Sequence, residues 1–161
     1  MPPKLFPPLP PELATFAESG LSMHIGTRDG QLRPAVTRAV GLRVWPGGSQ
    51  LTLYLAEATS RACVANLREN GKLAVTFSRP ATHETVQIKG SVREVREATP
   101  EERPFVEDYR ERFAQNLAPA GLPPRLTRRL RCWPAFAVDL EIEAVFAQTP
   151  GPGAGARMSG P

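Results

Sequence analysis

A chain of 161 residues, 41% hydrophobic and 22% charged, has the length of one domain and the balance of a globular protein. No apolar run approaches the roughly 18 residues of a bilayer span. Prolines (Pro2, Pro3, Pro7, Pro8) stand where a secretory leader needs an apolar helix. The expectation is a cytoplasmic protein with no membrane partner.

The formal charge is +4 and the isoelectric point about 9.6, which favours anionic partners without choosing between a nucleotide phosphate and a nucleic acid. Every basic residue except Lys4, Lys72 and Lys89 is arginine, the side chain suited to bidentate phosphate contacts. Cys63 and Cys132 lie far apart, outside any Cys-x-x-Cys pair, so no disulfide framework or metal site is expected.

In chain order, residues 1–11 are proline-dense and read as an extended arm outside the core. A short helix is expected over Glu12–Glu18, with Leu13, Phe16 and Ala17 on one face. Leu21–Arg28 reads as a strand closed by Asp29-Gly30, a hairpin signal. Leu32–Trp45 is the return strand, with a bulge expected at Gly41. After Pro46-Gly47-Gly48 comes Leu51–Leu55. A helix follows, capped by Thr59 or Ser60 and closed by Asn70-Gly71. Leu73–Phe77 and Val86–Val95 are the next strands, and the apolar parity slips between Val92 and Val95.

Thr99-Pro100-Glu101-Glu102 is a capping box, and Pro104 moves the start of the α-helix proper to near Arg103. Phe105, Tyr109 and Phe113, four apart, are its buried stripe. Ala135–Gln148 is the last strand, with Phe136, Val138, Leu140, Ile142 and Ala144 facing inward. The glycine- and proline-rich residues 151–161 read as a flexible tail, leaving 12–150 as the folded domain. Strands this numerous, with only two or three short helices, predict a mainly β fold, a six-stranded antiparallel barrel.

The usual catalytic constellations are absent. His24 sits in a strand and reads as structural, while His83 beside Glu84 is open to a substrate-side role. A protein without its own acid, base or nucleophile borrows reactivity from a cofactor. The stretch from Arg38 to Gly90 offers a phosphate site. Arg38 and Arg43 lie on a strand, and Ser60-Arg61 lies at a helix start where free amides favour an anion. Five positions separate Arg38 from Arg43, so a bulge at Gly41 is needed to aim both the same way.

These pieces, in this order, resemble the pyridoxamine 5′-phosphate oxidase-like family of FMN-binding split barrels. Arg38-x-Val40-x-x-Arg43 matches its Arg-x-Val-x-x-Lys, and Ser60-Arg61 matches its Ser-Arg-Lys. Thr85, five places before Gly90, matches its flavin-contacting polar residue. The resemblance implies FMN at the seam of a homodimer. Arg38, Arg43, Ser60 and Arg61 would hold the phosphate and ribityl chain, and Ala39, Val40, Leu55 and Ala56 would line the ring. Thr85, Gln87 and Lys89 would lie near its polar edge, and Trp133 near the partner's cofactor.

Relatives of this shape also use a deazaflavin or bind haem. Ala62 replaces the lysine after Ser-Arg. The family's substrate-holding Arg-x-His-x-Arg is missing, so oxidation of pyridoxamine phosphate itself is not expected. The leading expectation is an FMN-dependent oxidoreductase acting on a small-molecule substrate or electron donor. The alternatives are a non-catalytic flavin carrier or sensor and, more remotely, a nucleic-acid-binding barrel using Arg125, Arg128, Arg129 and Arg131.

Overall fold

The computed structural model describes residues 7–158. Seven antiparallel strands form one sheet in the order β2-β1-β5-β6-β7-β4-β3. They are β1 (Ser22–Arg28), β2 (Pro34–Arg38), β3 (Gly41–Val44), β4 (Gln50–Ala56), β5 (Lys72–Ser78), β6 (Thr85–Glu97) and β7 (Ala135–Ala147). Helix α1 spans Pro11–Ala17, α2 spans Glu57–Asn70 and α3 spans Arg103–Leu117.

The segment expected as one return strand is two, which makes seven strands rather than six. β2 and β3 lie at opposite edges of the sheet, yet only Ala39 and Val40 separate them. The Ala39 N–H donates to the Met23 carbonyl of β1 at 3.3 Å, and the Val40 N–H to the Tyr54 carbonyl of β4 at 2.8 Å. Two residues cannot span a flat sheet, so the sheet curls until its edges meet. This crossing, not a bulge at Gly41, resets the side-chain parity between Arg38 and Arg43.

Alternation places Met23, Ile25, Leu53, Leu55, Val75, Phe77, Ile88 and Leu140 inside the curl. α1 adds Leu13 and Phe16, and α2 adds Val64 and Leu67. α2 ends where Gly71 takes φ 66°, the left-handed cap expected of it. Its start is three residues earlier than Ser60. Ala56 is the N-cap without a side-chain bond, and the Glu57 N–H is satisfied by the Pro134 carbonyl at 2.9 Å. A tertiary acceptor replaces the local cap.

The β6–β7 ladder slips between Val92 and Glu94, as the parity of β6 indicates, and again between Lys89 and Gly90. The second slip moves the inward position of β7 from Ala144, the expected residue, to Val145. At both ends the expected arm and tail join the fold. Leu9 is buried in the core, and its N–H donates to the Gly48 carbonyl at 2.9 Å. The chain turns back after Pro150, Phe146 bridges Arg157, and Met158 packs on the core. Residues 1–6 and 159–161 lie outside the described residues.

A smaller cluster of Tyr54, Val106, Cys132 and Ala137 lies outside the curl, with Phe105 and Trp133 packed on it. A polar network borders it. The capping box forms at Thr99 and Glu102, with α3 proper beginning at Arg103, as read from the sequence. Glu102 accepts from Tyr54 Oη at 2.8 Å and from Arg96 at 2.7 and 2.9 Å. The Arg96 guanidinium holds the Glu102 carboxyl at about 2, well below its ordinary 4.5.

A depressed carboxylate stabilises the fold fully above its unfolded pKa and loses that contribution as pH falls through the folded one. Glu102→Gln is therefore less stable than wild type at neutral pH, and the gap closes between 4.5 and about 2. Denaturant midpoints measured across that range test it. A constant gap would show that Glu102 acts by packing instead of by charge.

Candidate functional site

Where β2 crosses to β3, a half-open pocket forms against α3. Arg38, Ala39 and Val40 make one wall and Thr59, in the first turn of α2, adjoins them. Tyr109, Arg110 and Phe113 come from α3, and Leu130, Arg131 and Cys132 from the turn before β7. Its volume is about 130 Å³, below the roughly 300 Å³ at which small-molecule clefts begin. It has room for one end of a nucleotide-sized ligand, not the whole.

The floor is apolar and inert. The Tyr109 hydroxyl accepts the Leu21 N–H at 3.1 Å and donates to the Ala17 carbonyl at 2.8 Å, and burial pushes it up to about 12. Burial also raises the Cys132 thiol. At neutral pH neither is ionised, so the pocket offers no thiolate or phenolate. Arg38 makes only a 3.5 Å contact with Ser22 Oγ and lies 5.9 Å from the Phe113 ring. Ser60, beside Thr59, is 1% exposed, and its hydroxyl has no hydrogen-bond partner among the described residues. A buried, unsatisfied hydroxyl is the kind of exception that requires a cause, although Ser60 itself does not line the pocket.

The other expected site residues are distributed around this pocket. Arg43 does face α3 as Arg38 does, its guanidinium 4.2 Å from the Phe105 ring centroid. Phe105 and Phe113 are eight residues apart, roughly 12 Å of helix, so the two arginines do not share one seat. Arg61 is exposed and lies 3.9 Å from Glu57. Leu55 and Ala56 are buried, with the Leu55 side chain in the main core. Trp133 packs on the second cluster.

Thr85, Gln87 and Lys89 do share the outer face of β6, and Gln87 donates to Thr76 Oγ1 at 3.1 Å. Arg38, His24, Thr76 and Gln87 sit opposite one another on β2, β1, β5 and β6. Three strand spacings, about 14 Å, therefore separate Arg38 from Gln87. Burial and the nearby Arg38 both lower the pKa of His24 on this row.

Two arginines of the pocket were not singled out as ligands from the sequence. Arg110 lies on α3, and Arg131 belongs to the basic cluster on which the nucleic-acid alternative rests. Arg128 of that cluster is paired with Glu111 at 2.6 Å. No local pattern links Arg131 to Arg38. Among the described residues no helix is long and apolar enough to cross a membrane.

A curled antiparallel sheet, joined at its edges beside an arginine-lined pocket, defines a split-barrel protein. A family model for pyridoxamine 5′-phosphate oxidase matches residues 9–132, and the chain belongs to that family. No curated protein matches it. Among solved structures it is similar to HupZ of Group A Streptococcus, at 16% identity and TM-score 0.56, covering 91% of this chain and 100% of that one. A Lactobacillus delbrueckii protein described as a candidate pyridoxamine 5′-phosphate oxidase matches at 21% identity and TM-score 0.55, covering 87% and 94%. An F420 reductase matches at 15% identity and TM-score 0.56, covering 85% and 98%.

Proposed function

We propose that the protein binds FMN at the seam of a homodimer and serves as an oxidoreductase for a small molecule. The observation that carries this reading is the pocket at the β2–β3 crossing. It is lined by Arg38, which has no carboxylate partner among the described residues, beside a buried Ser60 hydroxyl without a bond. A phosphate seated in the pocket gives Arg38 the anionic partner it lacks. The pocket is too small for a whole flavin, which suits a cofactor shared with a second subunit. Family membership supports the same reading.

Arg38 and Ser60 hold the phosphate end, with Arg43 and Arg61 at its margins, and Ala39 and Val40 line the ring. Thr85, Gln87 and Lys89 serve the polar edge of the ring, and Trp133 lies near the partner's cofactor. When bound, the flavin supplies hydride transfer. The chain's own residues bind and orient it, since the pocket's thiol and phenol stay protonated.

The absorption spectrum of the purified protein, followed by titration with FMN, tests this. Paired near-ultraviolet and blue bands, and a sedimenting mass about twice the chain's 17.5 kDa, are expected. Colourless protein that leaves added FMN free would overturn the assignment. A second reading, a deazaflavin in the same seat, is favoured by the F420 reductase among the structural matches. Competition between the two cofactors separates them. Turnover with a reduced donor distinguishes an enzyme from a flavin carrier.

A further inference from the structure

The pocket carries more positive charge than Arg38 alone. Arg110 and Arg131 line it too, and no carboxylate does. The nearest acids in sequence are paired with other arginines, Asp108 with Arg112 among them, though Glu111 also feels the charge of Arg110. Glu107 accepts from Arg103 at 2.9 Å, Glu111 is paired with Arg128, and Glu57 faces Arg61. Among the described residues none of Arg38, Arg110 and Arg131 has an ion-pair partner. Arg110 donates to the Leu130 carbonyl at 3.3 Å, which ties it to the turn that presents Arg131. α2 adds no cation here, since its pocket residue is Thr59.

Three arginines from three separate segments line one pocket that no carboxylate lines, and an anion seated there is within the reach of charge-assisted bonds from each. We propose that Arg110 and Arg131 complete a three-arginine phosphomonoester site with Arg38. α3 and the turn before β7 then close over the phosphate. This inference rests on the reading above, that a flavin phosphate occupies the pocket. A phosphomonoester carries about −1.5 to −2 charges at neutral pH, a match for three cations.

The test compares FMN with riboflavin, which differs only by the phosphate, in wild type, Arg38→Ala and the double variant Arg110→Gln/Arg131→Gln. Wild type is expected to prefer FMN. The double variant should lose at least about tenfold of that preference with riboflavin binding unchanged. Arg110→Lys/Arg131→Lys should recover part of it. Inorganic phosphate should displace FMN from wild type, and its own binding should weaken in the double variant. Both side chains reach the surface, and a matching near-ultraviolet dichroism spectrum confirms that the variant is folded. An unchanged preference in the double variant, with loss in Arg38→Ala, overturns the role of Arg110 and Arg131 and leaves FMN binding intact. A wild type without any preference removes the phosphate reading itself, and this inference with it.

Discussion

Arg38→Ala lowers the affinity for FMN by about 10- to 100-fold while leaving the thermal midpoint nearly unchanged. A charge-assisted hydrogen bond contributes about 1.5–3 kcal/mol, and each 1.4 kcal/mol is about tenfold in binding. The fold loses little by the change. Arg38 is exposed at the end of edge strand β2, and its own contacts are one long bond to Ser22 and a distant ring. Exposed substitutions of this kind stay within about 0.5 kcal/mol. Flavin fluorescence titrations at fixed ionic strength measure the loss, which should diminish as salt screens the wild-type interaction. Arg38→Lys keeps the charge but not the fork, and falls between the two. An unchanged dissociation constant would move the phosphate away from the β2–β3 crossing.

Gly90→Ala should be the most damaging small substitution in the barrel. Gly90 pairs with Leu73 of β5 and Ile142 of β7, so it lies in a strand hydrogen-bonded on both sides. A Cβ there would sit 2.1 Å from the Glu141 carbonyl oxygen and 3.0 Å from Leu140. The obstacle is backbone, which cannot swing aside as a side-chain tip would. Relief requires separating β6 from β7 at the register slip between Lys89 and Gly90.

A loss of about 3 kcal/mol or more is expected, which lowers the melting temperature by about 6–12 °C for a domain of this size. Gly153→Ala is the control: no atom lies within 4 Å of its added methyl, and its melting curve should overlay wild type. A wild-type midpoint for Gly90→Ala would show that the two strands pair less closely than 2.1 Å implies.

Much of the local structure could be read from residues close in the chain. The capping box at Thr99 and Glu102, the left-handed stop at Gly71 and the parity slip after Val92 all form as expected. Each depends on groups within a few positions of one another. The start of α2 could not be read this way, because its acceptor is the Pro134 carbonyl rather than Thr59 or Ser60. The tail also misled. Glycine and proline signal an absence of regular pairing, yet the backbone of Ala147 accepts from Gly155 and donates to Ala156. Composition reports propensity, and two antiparallel segments can bond whatever their side chains.

The site divides in the same way. Arg38, Ser60 and the wish for an anion were legible, because residue type and charge are properties of the sequence itself. That Leu32–Trp45 divides into opposite edges of one sheet was not, since alternation identifies a strand without naming its neighbour. Only the closed barrel brings Arg38 to Arg110 and Arg131, separates it from Arg43, and leaves the Ser60 hydroxyl unpaired. Side-chain chemistry is written residue by residue, whereas convergence depends on which strands pair and how far the sheet must curl to let two residues join its edges.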